Sequence, residues 1–229
     1  MNPLKSSLAM KSIARQVHFL RTRGQFVCIL LLAGLLGGCA GLVDKPVQRT
    51  LYDFGPGASA PAAATRQLAP QVLSEIDAAG ALDGSAVLYR LAYADANQLR
   101  PYAQARWSAP PPQLVRQRLR EQLGRERAVL NPAESASLAR EGGVLPRVLH
   151  IELEEFSHLF ESPSQSFGLV RMRATLLENT TAGEKLLAQR SVVARSPAAT
   201  ADAPGGVRAL AAATDAAATE IGQWLQQVR

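Results

Sequence analysis

Arg147-Val148-Leu149-His150-Ile151-Glu152-Leu153-Glu154-Glu155-Phe156 is the stretch on which the architecture turns. Successive side chains of a strand point to opposite faces, so Leu149, Ile151 and Leu153 share one side and His150, Glu152 and Glu154 the other. That is a strand with one face covered and one face wet. After Glu155 the apolar phase changes, because Phe156 and Phe160 fall on the opposite parity, and a β-bulge accounts for such a shift. The alternation returns from Ser166 to Leu177, where Val170, Met172, Ala174 and Leu176 face inward and Arg171, Arg173 and Thr175 outward. Glu178 to Glu184 reads as a turn, and Lys185 to Arg195 pairs back. Three long strands thus share an apolar face that needs a cover.

The last segment supplies a cover. After a loop from Pro197 to Gly206, Val207, Ala211, Thr214, Ala218, Ile221, Leu225 and Val228 recur at alternating spacings of about four and three, the repeat of a helix with one apolar seam. Two readings compete. The seam packs on the chain's own sheet, since alanine-rich helices sit close to strands, or it meets a second copy in a homo-oligomer, with Trp224 beside the stripe.

Upstream, Val87, Tyr89, Leu91 and Tyr93 alternate with Leu88, Arg90 and Ala92 as a further strand. Asp95-Ala96-Asn97 turns the chain, and Tyr102 to Trp107 returns as a hairpin partner. Pro110-Pro111-Pro112 ends that strand and suits the first turn of a helix. In that helix Leu114, Val115, Leu119 and Leu123 form the apolar stripe, while Arg116, Arg120 and Arg127 fall on other faces. Arg118 lies nearer the stripe, its stem expected over the apolar boundary with its head in water. Strands are also expected at Thr50 to Phe54, stopped by Gly55-Pro56-Gly57 and an Ala/Pro-rich loop, and at Gln71 to Ile76. The fold class is α/β, a mixed β-sheet with packed helices, in a single domain over residues 51–229.

The N-terminus reads as an address. Lys5, Lys11, Arg15, Arg21 and Arg23 are the only charges before an apolar run from Phe26 to Leu36. A basic region, a short apolar region and small residues make a secretory signal, and the run falls short of the roughly 20 residues that cross a bilayer as a helix. Leu36-Gly37-Gly38-Cys39 resembles the lipobox of bacterial lipoproteins, in which the thiol is acylated and the bond before it is cut. Residues 1–38 are then a cleaved signal peptide. Residues 39–50 are the lipidated N-terminus and tether, with Cys39 as first mature residue. The stretch from Ala40 to Thr50 reaches at most about 37 Å when fully extended.

Cleavage changes the charge. The whole chain carries 25 basic and 19 acidic residues, a net +6. The signal removes five cations and no anions, which leaves the mature chain near neutrality and removes the case for nucleic-acid binding. Cys28 goes with the signal and Cys39 is acylated, so no cysteine remains for a disulfide or metal site.

The catalytic and cofactor motifs we sought are absent: no G-x-S-x-G elbow, phosphate loop, dinucleotide fingerprint or H-E-x-x-H. We read no enzyme and no cofactor. His150, Glu152 and Glu154 share a strand face and could in principle hold a metal, but on a lone strand with no third element supplying a ligand a solvated polar face is the preferred reading, and no metal site is assigned. Arginine is the distinctive residue: Arg90, Arg100, Arg106, Arg116, Arg118, Arg120, Arg125 and Arg127 are interleaved with Tyr89, Tyr93, Tyr102 and Trp107. Arg90, Arg106, Trp107, Arg116 and Arg120 are the candidate surface for lipid head groups or an acidic partner. An ordinary arginine-rich surface is the alternative.

Several stretches together resemble a known family. Leu51-Tyr52-Asp53-Phe54-Gly55, Val87-Leu88-Tyr89-Arg90, Tyr102-Ala103-Gln104-Ala105-Arg106-Trp107, then Pro110 and the Leu114 to Leu123 helix, resemble the auxiliary lipoproteins of ABC-type transport systems, including the paraquat-inducible protein C-like lipoproteins that accompany MCE-domain proteins. The resemblance implies a periplasmic domain tethered by acyl chains to the outer membrane, docking the transporter's periplasmic MCE protein, supporting lipid passage and envelope integrity. It carries no catalytic residue; its acceptor cysteine corresponds to Cys39. An assembly lipoprotein of the pilotin type, escorting another envelope protein, is the alternative.

Overall fold

The computed structural model describes residues 48–57, 68–140, 145–180 and 182–228. In chain order the elements are β1 (Thr50–Tyr52), β2 (Leu68–Ala78), a 3-10 turn (Gly80–Leu82), β3 (Ala86–Leu91), α1 (Ala92–Asp95) and β4 (Leu99–Trp107). They continue with α2 (Pro111–Leu123), β5 (Arg127–Leu130), α3 (Pro132–Arg140), β6 (Arg147–Phe160), β7 (Ser166–Thr180), β8 (Gly183–Pro197) and α4 (Ala203–Gln227). The expected signal peptide, Cys39 and the expected tether up to Val47 lie outside the described residues, as does the Ala/Pro-rich insert at 58–67.

β6 organises the mixed sheet of eight strands. Along one edge it pairs antiparallel with β7, from Val148↔Leu177 to Phe160↔Ser166. Its other edge is shared: β2 runs parallel to it from Gln71↔Arg147 to Ala78↔Leu153, and β3 from Tyr89↔His158 to Leu91↔Phe160. β4 pairs antiparallel with β3, β1 parallel with β4, and β5 parallel with β2. β8 completes the meander beside β7.

The bulge expected after Glu155 sits one residue earlier, where the register shifts between Leu153 and Glu155. It keeps Leu149, Ile151 and Leu153 on the same buried side as Phe156 and Phe160. Without it, every residue beyond would change faces.

α4 lies over β7, β8 and β6 and also meets α2. Asp202 caps it, its Oδ1 accepting from Gly205 N at 2.8 Å. Val207, Thr214, Ala218, Ile221 and Leu225 of the expected seam are buried together with Leu210, Ala213, Ala217 and Trp224. The reading in which the seam packs on the chain's own sheet therefore holds, and that face is not free to join two subunits. Contact is backbone to backbone at one point: a Cβ built on Gly168 of β7 would stand 2.3 Å from the carbonyl carbon of Ala209.

Two stretches differ from expectation. β3 ends at Leu91 because Ala92–Asp95 coils into α1, leaving Tyr93 49% exposed. Asp95 Oδ1 accepts from Asn97 N at 2.9 Å, and Arg90 Nη1 donates to the Ala96 carbonyl at 3.2 Å, which holds the chain in the turn. The helix expected to run on through Arg127 stops at Leu123, and β5 and α3 follow. Asn131 and Glu134 form a reciprocal cap for α3: Glu134 N donates to Asn131 Oδ1 at 2.9 Å, and Asn131 N donates to Glu134 Oε2 at 2.7 Å.

Candidate functional site

The segments that carry the family resemblance converge. β1, β4 and β3 lie side by side, and the Asp53–Gly57 stretch after β1 crosses towards α2 and α4. Phe54 meets Trp107 edge-on, with ring centroids 5.6 Å apart at 86°, and Trp107 lies 5.6 Å from Phe156. Such aromatic pairs contribute beyond the area they bury. Asp53 Oδ1 accepts from Gly55 N at 2.7 Å. Gly57 takes φ +70°, and a Cβ there would stand 2.8 Å from Arg118 Nη1.

Arg118 is the polar centre of this corner. Its Nη2 donates to the Phe54 carbonyl at 2.6 Å, its Nε lies 3.3 Å from Asp215 Oδ1 on α4, and its Nη1 lies 3.5 Å from Glu121 Oε2. The guanidinium carbon is 5.8 Å from the Phe54 ring centroid, a cation–π arrangement. The expectation that its head reaches water is overturned: Arg118 is buried, because Phe54 and Asp215 close over it. A cleft of about 180 Å³ lined by Asp53, Phe54, Ser108, Leu114 and Arg118 lies on one side of the crossing segment. On the other side, a cleft of about 400 Å³ is lined by Leu51, Tyr52, Val207, Arg208 and Ala211.

A second polar cluster joins this corner to the meander. Tyr102 Oη lies 2.8 Å from Nδ1 of His158, which is fully buried, and Tyr102 also packs 4.6 Å from Tyr89. His158 Nε2 has no hydrogen-bond partner among the described residues. A Cβ on Gly206 would stand 2.3 Å from His158 Nδ1, so the imidazole is roofed by the first turn of α4. Burial lowers the His158 pKa to about 4, offset only in part by Asp202, and burial also raises that of Tyr102. The Asp202 carboxyl is lowered, chiefly by its hydrogen bonds from Thr200 and Gly205 N. The pair is a neutral polar contact between β4 and β6.

The candidate surface residues do not form one patch. Trp107 is 1% exposed and belongs to the core, which corrects its assignment to a surface. Arg90 forms a two-pronged pair with Glu155 at 3.1 Å on both prongs. Arg116 donates to the carbonyls of Ser74 at 3.1 Å and Leu73 at 3.4 Å and pairs with Glu75. Arg106 Nη1 donates to the Tyr102 and Ala105 carbonyls, each at 2.7 Å. Arg120 lies 3.7 Å from Glu134 and remains more open. The metal candidates have other partners: His150 Nε2 lies 2.9 Å from Asp77, Glu152 pairs with Arg173, and Glu154 pairs with Arg171 and Arg173.

The Arg118 centre and the His158 contact were not singled out in the sequence as site residues. Each had a signal: Arg118 sits on the apolar stripe of its helix, and His158 shares the parity of Phe156 and Phe160 beyond the bulge.

A crystal structure of a Xanthomonas campestris protein of the DUF330 family matches with a TM-score of 0.60 at 16% identity, covering 78% of this chain and 96% of that one. An uncharacterized protein matches with a TM-score of 0.54 at 13% identity, covering 78% and 99%. A Chlamydia trachomatis protein matches with a TM-score of 0.45 at 8% identity, covering 70% and 96%. No curated protein matches. The first two share the fold. Residues 52–222, from the end of β1 to the last turns of α4, match the model of the ABC-type transport auxiliary lipoprotein component family, and the chain belongs to that family.

Proposed function

We propose that this chain is a lipid-anchored accessory subunit of an ABC transporter that moves lipid between the two envelope membranes. In this reading Cys39 carries the acyl chains, the anchor sits in the outer membrane, and the domain docks the periplasmic MCE protein of the transporter and so supports envelope integrity. The observation that carries it is the family match over residues 52–222. The family is one of transport auxiliary components rather than of a known enzyme. The Leu36-Gly37-Gly38-Cys39 lipobox supports the anchor, and among the described residues no helix is long and apolar enough to cross a membrane. Each buried methylene of an acyl chain contributes about 0.8 kcal/mol, so two or three chains hold the domain stably at the surface.

Two experiments test the reading. Cys39→Ser should abolish acylation and release the protein from washed membranes, and retention there would contradict the anchor. Crosslinking in native membranes followed by purification should recover a transporter's periplasmic MCE protein; recovery of secretion or pilus components instead would favour an escort role. Arg120 is the residue of choice for probing the arginine-rich surface, since reversal of Arg90 or Arg116 would also break internal contacts.

A further inference from the structure

The arginines of the domain are treated differently on two sides of the sheet. On the β7–β8 side the arginines are neutralised within the chain: Arg171 lies 3.0 Å from Glu154, Arg173 3.3 Å from Glu152, Arg190 2.8 Å from Glu220, and Arg195 meets Glu161. At the β1 edge they are not. Among the described residues no carboxylate pairs with Arg49 or Arg106. Arg106 spends one nitrogen on two carbonyls, and Arg208, on the first turns of α4, reaches only Thr200 at 3.5 Å and acts through space on Asp202. Asp53, the acid of this edge, is engaged with Gly55 N.

An exposed apolar side chain lies at the same edge. β1 pairs only with β4, with Leu51 opposite Arg106, and its other edge carries no strand among the described residues. Leu51 is 68% exposed, Arg49 precedes it on the open edge, and the cleft of about 400 Å³ beside it is lined by Val207, Arg208 and Ala211. This is also where the tether enters. The stretch from Cys39 to Gln48 reaches at most about 34 Å when extended, so the start of β1 stays within that distance of the acylated residue.

We propose that the β1 edge is the membrane-facing side of the domain, lying edge-on against anionic phospholipid, with Arg49, Arg106 and Arg208 on the phosphates and Leu51 at the interface. Unpaired arginines bind phosphate oxygens in a forked geometry, and cations near an anionic leaflet are drawn to it within a Debye length. The proposal rests on the Cys39 anchor and adds an orientation to it.

The test uses the full acylated protein in vesicles of phosphatidylethanolamine and phosphatidylglycerol at about 3:1, with nitroxide-labelled lipid as quencher. The mature chain has no free thiol, so a fluorophore placed at Leu51→Cys, or at Leu186→Cys on β8 (59% exposed), reports one position. Quenching should be at least about threefold stronger at 51 than at 186. It should fall to the level of 186 in phosphatidylcholine vesicles and in the Arg49→Glu/Arg208→Glu variant, which leaves the Arg106 contacts with β4 intact. Equal quenching at both positions in a chain that floats with the vesicles, or quenching at 51 that ignores lipid charge, overturns the orientation and leaves the anchor standing. A chain that fails to float overturns the anchor and the orientation with it.

Discussion

The meander side and the β1 side of this sheet are held by different physics. Where α4 covers β6, β7 and β8, the contact is apolar, periodic and close: Met172, Ala174, Leu210, Ala213, Ala217 and Ile221 are all fully buried. Where β1 and its following segment close the other end, a three-residue strand gains its place from long-range contacts of single side chains, the Phe54 ring on Trp107 and the Phe54 carbonyl on Arg118. A packed face distributes its stability over many small dispersion contacts, each dependent on shape. A polar centre concentrates it in a few bonds that are costly to break once water is excluded. The two regions should therefore respond to different substitutions.

The largest effect belongs to the packed face. Gly168→Val should prevent α4 from docking, because even its Cβ would stand 2.3 Å from the Ala209 carbonyl carbon, and neither backbone can yield within a dense interior. We expect a loss above about 4 kcal/mol by urea unfolding, or no folded protein. Gly55→Ala makes the converse point: its Cβ would meet nothing within 4 Å, and only φ of +69° opposes it, so its cost should stay near 1 kcal/mol. Similar costs at the two glycines would break the distinction between the regions.

The polar centre comes next. Arg118→Ala should cost about 3 kcal/mol, since it strands the Phe54 carbonyl and removes the packing of a buried stem. Asp215→Ala alone should cost far less, because its side chain is 53% exposed while that of Arg118 is 7%. Proteolysis sharpens the contrast: Arg118→Ala should open cleavage near Asp53–Gly57 while the meander stays protected. Uniform loss of protection would mean that the two regions unfold as one.

The same division explains what was legible beforehand. The meander, α2 and α4 could be read because Val170, Met172, Ala174 and Leu176, or Thr214, Ala218, Ile221 and Leu225, repeat with the period of their element. β5 and α3 escaped because Arg127–Leu130 is too short to show a period, although Gly124 marks the end of the helix before it. The Asn131-Pro132-Ala133-Glu134 cap was present and marked the start of α3. Trp107 was placed on a surface because its neighbours are arginines, but the β1 pairing and Phe54 bury it. Burial of Arg118 needed Phe54 and Asp215, both far along the chain, and no local pattern encodes such a contact.

The effect at the place where the two regions meet appears only on acidification. His158 on β6 touches Tyr102 of β4 on one side and Gly206 of α4 on the other, and its pKa of about 4 lies below the roughly 6.5 of an unfolded histidine. The folded state holds this imidazole neutral, so below pH about 6.5 the unfolded chain binds a proton that the folded chain refuses. The contribution is fully present above that pH, is lost as pH falls towards 4, and amounts to about 3 kcal/mol. His158→Asn retains a partner for Tyr102 without titrating. Its unfolding free energy should therefore stay flatter than the parent's between pH 6.5 and 4, while both lose stability alike below that as Asp202 protonates. Parallel curves across the upper window would show that the imidazole is solvated, and that α4 does not seal the junction as tightly as Gly206 requires.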